Sequence, residues 1–235
     1  LPCEETRNGL RDADLVVDNY SVEVLPKLGL GYNVVSKLNP KLVMMSMSAF
    51  GAGSIQQSGL YDRVTSSLRA AGVEWVELGG VKPNPRLSLV HEGVKLCKQH
   101  QLGLVLAVGG GSVIDSAKAI AMGAVIDHDV WDFYLGKGAP QAALPVGTVL
   151  TLSAAGSEAS TGTVITKEEG WLKRAVNSDL IYPRFSILNP ELTFTLPPFQ
   201  VACGAVDIMA HLMERYFTNV RDVAFTDRLI EATLK

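Results

Sequence analysis

The sequence predicts an α/β protein: a parallel sheet with helices on both faces, followed by the start of an all-helical region. Three observations predict it. Short apolar runs alternate with amphipathic stretches from about residue 40 to residue 190, the rhythm of strand and helix in a parallel sheet. The apolar runs carry hardly any polar residues, as strands do when both faces are covered. After "ILNPELTFTLPP" the strand patterns cease, and "FQVACGAVDIMAHLMERYFTNV" and the remaining residues read as helix, with Pro197 and Pro198 at the boundary.

Taken in order, "ADLVVDNY" reads as a strand and "EVLPKLGLGYNVVSKLN" as a helix. "KLVMMSMSAF" is the next strand, and "SGLYDRVTSSLRAAG" has helical spacing of its apolar residues. "WVELGG" is a short strand closed by glycines, followed by the helical "PRLSLVHEGVKLCKQHQ". "LGLVLAVGGG" is an apolar strand running into three glycines, and "SVIDSAKAIAMGAVI" is the helix after it. "AALPVGTVL" completes the set of strands. The expected domains are residues 1–50, 51–196 and 197–235.

Composition narrows the function classes. The chain has 235 residues, 47% hydrophobic and 19% charged, enough for one large or two modest domains. A net charge of -3 supplies no basic field for nucleic acid or an anionic membrane. No apolar run approaches the roughly 20 residues of a membrane helix. Cys3, Cys97 and Cys203 lie far apart without metal-ligand spacing, which suits a reducing cytoplasm and no disulfide framework.

Three small-residue loops are candidate ligand sites. In "LVLAVGGGSVIDSAKAI" the strand ends at Val108, Gly109, Gly110 and Gly111 form a turn without side chains, and Ser112 is expected to cap the helix. Backbone N–H groups and the helix dipole would then face the turn, which suits a phosphate. A tight strand-to-helix turn with no ligand is the alternative. "AFGAGSIQQSG" repeats the design around Gly51, Gly53 and Ser54. It carries no acid for ribose hydroxyls, which favours a 2'-phosphate and hence NADP if the loop faces the adenosine ribose. "TLSAAGSEAS" offers Thr151, Ser153, Gly156 and Ser157 as donors.

"GAVDIMAHLMERY" places Asp207 and His211 four apart on a helix, so they share a face. One carboxylate oxygen and one imidazole nitrogen suit iron or zinc, with bonds of about 2.0–2.2 Å. An Asp–His hydrogen bond or two solvated side chains would read the same. His91, His100 and His128 have no spacing that adds them to the pair.

Together and in order, "GAGSIQQSGLYDRV", "GVKPNPRLSLVHEGV", "AVGGGSVIDSAKAIA", "DVWDFYLGKG", "LPVGTVLTLSAAGSEAS", "SILNPELTFTLPP" and "GAVDIMAHLMERYFT" resemble the iron-containing alcohol dehydrogenase family, its NADPH-dependent butanol dehydrogenase-like branch. The resemblance implies a dinucleotide-binding α/β domain at 51–196 and the start of a helical metal-binding domain at 197–235. It implies that Gly109, Gly110, Gly111 and Ser112 hold the cofactor pyrophosphate, with Asp115 lining the site. Gly51, Gly53 and Ser54 would face the adenosine ribose and its 2'-phosphate, Thr151 and Ser153 the nicotinamide half, and Lys173 the cofactor ribose. Asp207 and His211 would be two of four ligands to Fe2+ or Zn2+, acting on a small alcohol or aldehyde with NADP(H). The family's other two ligands are histidines further along than Lys235. Ala159 and Ser160 stand where relatives often carry an asparagine. A homodimer in the cytoplasm is the family-level expectation.

Residues 1–50 resemble a different family, the family III CoA-transferases, through "DADLVVDNYSVEVLPKLGLGYNVVSKLNPKLVMMSMSAFG". Asn19, Tyr20, Val24 and Lys27 would lie at the CoA pocket, but the catalytic aspartate of that family comes later than Gly51 and is absent. The two resemblances meet near Gly51. The expectation is therefore a fused coding sequence cut at both ends, its first dehydrogenase strand replaced by a transferase strand. The alternatives to a dehydrogenase are a CoA-transferase fragment and a non-catalytic nucleotide-binding module.

Overall fold

The computed structural model describes the backbone of residues 41–46 and the whole of residues 55, 58–194 and 196–235. The strand expected at 13–20, the helix expected at 23–39, and the positions Asn19, Tyr20, Val24, Lys27, Gly51, Gly53 and Ser54 lie outside the described residues.

Five parallel strands form the central sheet: β1 (Lys41–Ser46), β2 (Glu74–Leu78), β3 (Leu104–Gly109), β4 (Val146–Leu150) and the short β7 (Phe185–Ile187). Their order is β2-β1-β3-β4-β7. The chain moves from β1 outward to β2, then crosses back to place β3 on the other side of β1. That reversal makes a topological switch point between the carboxyl ends of β1 and β3, the place where open α/β sheets bind ligands. The register is fixed there, with Ser46 opposite Val108.

Three helices join the strands as the sequence spacing predicts. α1 (Leu60–Ala70) turns Leu60, Thr65 and Leu68 inward. α2 (Leu87–His100) does so with Leu87, Val90, Gly93 and Cys97. α3 (Gly111–Gly123) is buried along nearly its whole length. It follows the fully buried β3, so the two form the centre of the protein.

The sheet has a core on each face, and β3 feeds both by alternation. Val105 and Ala107 join Val90, Ile114, Ala117 and Ile120 of α2 and α3. Leu104, Leu106 and Val108 join Leu60 and Leu68 of α1. Truncating a fully buried Leu106 or Ile120 to alanine would cost about 2–5 kcal/mol. Two glycines permit the closest approaches. A Cβ on Gly93 would stand 2.2 Å from Ile120 Cδ1 across the α2–α3 contact. One on Gly147 would stand 2.3 Å from Cζ of Phe185, whose ring covers β4.

Between β4 and β7 lies an element that the strand patterns of the sequence do not announce. β5 (Gly162–Lys167) and β6 (Leu172–Asn177) pair as an antiparallel hairpin separate from the main sheet. It packs against α3 through Ile165, and the hydroxyls of Tyr134 and Thr163 meet at 3.2 Å. Tyr134 belongs to a single turn, α4 (Trp131–Tyr134). After β7 come α5 (Pro198–Tyr216) and α6 (Ala224–Thr233), which contact each other. Among the described residues no helix is long and apolar enough to cross a membrane.

Candidate functional site

β3 delivers the glycine turn to the switch point. The structure corrects the expected cap: Gly110, with φ -90 and ψ -170, is the N-cap, and Ser112 lies within the first turn. The N–H groups of Val113 and Ile114 both donate to the Gly110 carbonyl, at 3.0 and 3.2 Å. The helix therefore starts earlier than a cap at Ser112 would require.

Neither backbone strain nor packing calls for glycine at 110 and 111. The extended dihedrals of Gly110 are open to any residue. A Cβ there would meet Leu152 at an ordinary 3.4 Å, and one on Gly111 would meet Ala155 at 3.8 Å. What the glycines give is a bare backbone at a helix start, whose first N–H groups have no partner within the helix. Such a surface accepts an anionic group at close range.

The loop after β4 lies over this turn. Thr151 N–H donates to the Gly109 carbonyl at 3.1 Å, so Thr151 sits beside the glycines. Ser153 is exposed, and Gly156 reverses the chain with φ 70. Ser157 then turns inward, and its hydroxyl donates to Asp115 Oδ1 at 2.6 Å. Asp115 Oδ2 accepts from Val164 N–H at 3.0 Å. Burial pushes the Asp115 carboxyl above its ordinary range, against the hydrogen bonds from Ser157 and Val164. Asp115 thus fastens the loop and hairpin β5–β6 to α3 at the edge of the cleft.

Lys173 on β6 is exposed and donates to Asn84 Oδ1 at 2.9 Å. Asn84 lies in the loop after β2 and holds a left-handed φ of 56. The Lys173 charge also acts on Asp115. The structure therefore gathers Gly109, Gly110, Gly111, Ser112, Asp115, Thr151, Ser153 and Lys173 at the carboxyl end of the sheet. Gly51, Gly53 and Ser54, in the loop after β1, fall outside the described residues.

α5 approaches this cleft at Gly204, the buried position of the helix. A Cβ there would stand 2.8 Å from the Ser153 carbonyl oxygen. Asp207 and His211 follow at three and seven positions, so all three share one stripe of α5. Asp207 Oδ1 and His211 Nε2 are 3.9 Å apart, and both side chains are about half exposed. Two ligands bonded to one tetrahedral metal stand about 3.4 Å apart, so a small side-chain rotation suffices to bring the pair onto an ion. Among the described residues no third histidine, cysteine or carboxylate joins them. His91 instead bonds Asp129 at 2.8 Å, and His128 lies 3.8 Å from Asp132.

Three contributors escape sequence reasoning. Gly204 has no local signal, because its contact is with Ser153, in a loop far back along the chain. Asn84 hides in a proline-flanked loop. Lys118 has a readable signal: it stands one turn after Asp115 in a helix whose other residues are small or apolar. It is fully buried and donates to three carbonyls, those of Ser157, Ser160 and Gly162.

Comparison with known proteins gives the family of the chain. A profile of the family described as "Iron-containing alcohol dehydrogenase" matches residues 27–190. The probable NADH-dependent butanol dehydrogenase 1 of Bacillus subtilis is 50% identical over 186 residues, 79% of this chain and 48% of that protein. The NADPH-dependent aldehyde reductase YqhD of Escherichia coli is 34% identical over 223 residues, 93% of this chain and 57% of that protein. The crystal structure of an NADH-dependent butanol dehydrogenase A from Thermotoga maritima superposes with a TM-score of 0.77 at 44% identity, covering 86% of this chain and 49% of that one. The chain thus spans about half the length of the relatives it matches.

Proposed function

From the chain's membership of the iron-containing alcohol dehydrogenase family, shown by the match over residues 27–190, we propose that it carries the dinucleotide site of a metal-dependent alcohol or aldehyde oxidoreductase that uses NADP(H). Named relatives divide between NADH and NADPH. The reading of NADP(H) for this chain rests on "GAGS", which offers no acid against a 2'-phosphate. The observation that carries the site is the bare turn at Gly110 and Gly111, where a side chain would fit and none is present.

The backbone of Gly109–Gly111 and the first turn of α3 receive the pyrophosphate, and Ser112 adds a hydroxyl. Thr151 and Ser153 line the nicotinamide half and keep water from it. Lys173, anchored by Asn84, reaches the ribose. Asp115 fixes the wall of the cleft. Asp207 and His211 fit two positions around Fe2+ or Zn2+, which when bound supplies Lewis acidity to the substrate oxygen. The stripe that carries this pair also carries Gly204, so the pair and the Ser153 loop keep a fixed relation.

The substrate class is a small alcohol or aldehyde, and we propose no finer identity. A transferase origin for residues 1–50 would not alter this reading. β1 is the only part of that stretch among the described residues, and it fills the sheet slot between β2 and β3 through backbone pairing. The family match, beginning at residue 27, includes it.

The test is a fluorescence titration of the chain with NADPH and NADH, with and without Fe2+ or Zn2+. Saturable NADPH binding that tightens or turns over butanal only with metal supports the proposal. Absence of binding by either nucleotide up to millimolar concentration overturns it. Tighter NADH than NADPH would overturn the assignment of NADP(H) alone. Asp207→Ala should abolish the metal effect and leave nucleotide binding intact.

A further inference from the structure

Lys118 is unusual on physical grounds. Among the described residues it is the largest side chain with no solvent exposure, and apart from Asp115 its helix carries only small and apolar residues. An apolar residue of similar volume would fill the space without stripping water from a charge. Its ammonium finds a complete set of acceptors instead. Nζ donates to the carbonyls of Ser157 at 2.7 Å, Ser160 at 2.7 Å and Gly162 at 2.8 Å, with Ser160 Oγ at 3.3 Å. An ammonium has three N–H donors and no acceptor, so three carbonyls match it, and a neutral amine would leave one carbonyl short.

These carbonyls belong to the continuation of the loop that covers the glycine turn. Asp115, one turn earlier on α3, holds the same segment through Ser157 Oγ and Val164 N–H. The Thr163 hydroxyl adds a bond to the Asp115 carbonyl at 2.8 Å. Two charged residues of one helix therefore draw residues 157–164 down onto α3. The helix that begins at the glycine turn and the loop that covers it become one rigid unit.

We propose that Lys118 is a positioning residue: it holds the loop from Thr151 to Gly162 in the shape that receives the nicotinamide half of the dinucleotide. This role rests on the dinucleotide cleft of the proposed function. Lys118 acts through Ser157, Ser160 and Gly162 on Thr151 and Ser153, and touches no cofactor atom itself.

The experiment compares two probes on the whole chain. One is the intact reduced dinucleotide, NADPH. The other is 2'-phospho-ADP-ribose, which lacks the nicotinamide. Lys118→Met keeps length and removes charge and donors. It should weaken NADPH by about tenfold, the effect of one net hydrogen bond, and leave 2'-phospho-ADP-ribose within about twofold. Lys118→Arg keeps the charge and should recover part of the loss. Equal affinity of wild type and Lys118→Met for NADPH overturns the proposal. So does an equal loss for both probes, which would mark Lys118 as a general stabiliser of the fold. If wild type binds neither probe, the cleft itself is misread and this inference falls with it.

Should Lys118→Met fail to fold, the wild type supplies the readout. Burial pushes the Lys118 ammonium down to about 8, while Asp115 and Glu158 pull it up. Lys173 also faces Asp115, and Tyr134, held protonated by burial, bonds Thr163. The ratio of NADPH affinity to 2'-phospho-ADP-ribose affinity should fall as pH rises through about 8. A ratio that stays flat from about pH 7 to about pH 9, one unit either side of that value, overturns the proposal.

Discussion

Gly204→Ala tests whether α5 is truly seated on the Ser153 loop. The added Cβ would stand 2.8 Å from the Ser153 carbonyl oxygen, where ordinary contact begins at 3.4 Å. The obstacle is a backbone atom, so no side-chain rotation relieves it. Either α5 or the loop must retreat by about 0.6 Å, the difference between those distances. Overpacking of this kind costs about 1–3 kcal/mol. Alanine in a helix interior returns about 1 kcal/mol relative to glycine. The net expectation is a loss of about 1 kcal/mol, or a Tm lower by about 2–4 °C for a chain of this size. Scanning calorimetry of both proteins reads it. Helix propensity acting alone predicts the opposite sign, a rise of similar size. A Tm that rises would therefore refute the contact and the alignment of Asp207 and His211 with the cleft. NADPH affinity measured on the same samples should fall, because the Ser153 loop moves with the helix.

Three more outcomes are expected. Gly110→Ala should change stability by no more than about 0.5 kcal/mol, since its dihedrals and its 3.4 Å neighbour are ordinary, yet weaken NADPH at least about tenfold by filling the phosphate turn; titration and melting on one preparation separate the two. Iodoacetamide at about pH 8 should label the exposed Cys203 and spare Cys97, whose thiol burial pushes up to about 12, and peptide mapping distinguishes them. Burial raises the Asp129 carboxyl, but the Trp131 N–H and the His91 ring outweigh it and hold the group below its ordinary 3.8. A depressed carboxyl adds stability above its unfolded value and loses it as pH falls through the folded one. Asp129→Asn should therefore lower the denaturation midpoint at about pH 6, and the difference from wild type should close as pH falls below 3.8, with a modest effect because both partners are half exposed.

Wherever a signal is local, the sequence carried it. The apolar run of β3, the spacing of α1 and α2 and the three glycines each depend on neighbours within a few residues. They predicted a parallel sheet with helices on both faces and a phosphate-suited turn. Ser112 misled as a cap because a helix start is chosen by where the chain bends, and three glycines left that bend free to fall at Gly110. Hairpin β5–β6 was not separable from loop, because its stability comes from lying on α3. The Asp207–His211 pair was legible from its spacing of four.

Local patterning along the chain gave the alternation of strands and helices up to β4, the two-sided burial and the residue types at the cleft, but not hairpin β5–β6 or β7. The packed fold alone sets which distant residues meet. β1 lies between β2 and β3, which creates the switch point. Lys118 finds its three carbonyls past β4 along the chain, Lys173 finds Asn84 across 89 positions, and Gly204 admits Ser153. The physical reason is that such contacts have no period along the chain. They arise when a buried ammonium must satisfy its donors or a helix must approach a backbone closely, and both conditions exist only once the sheet has brought the loops together.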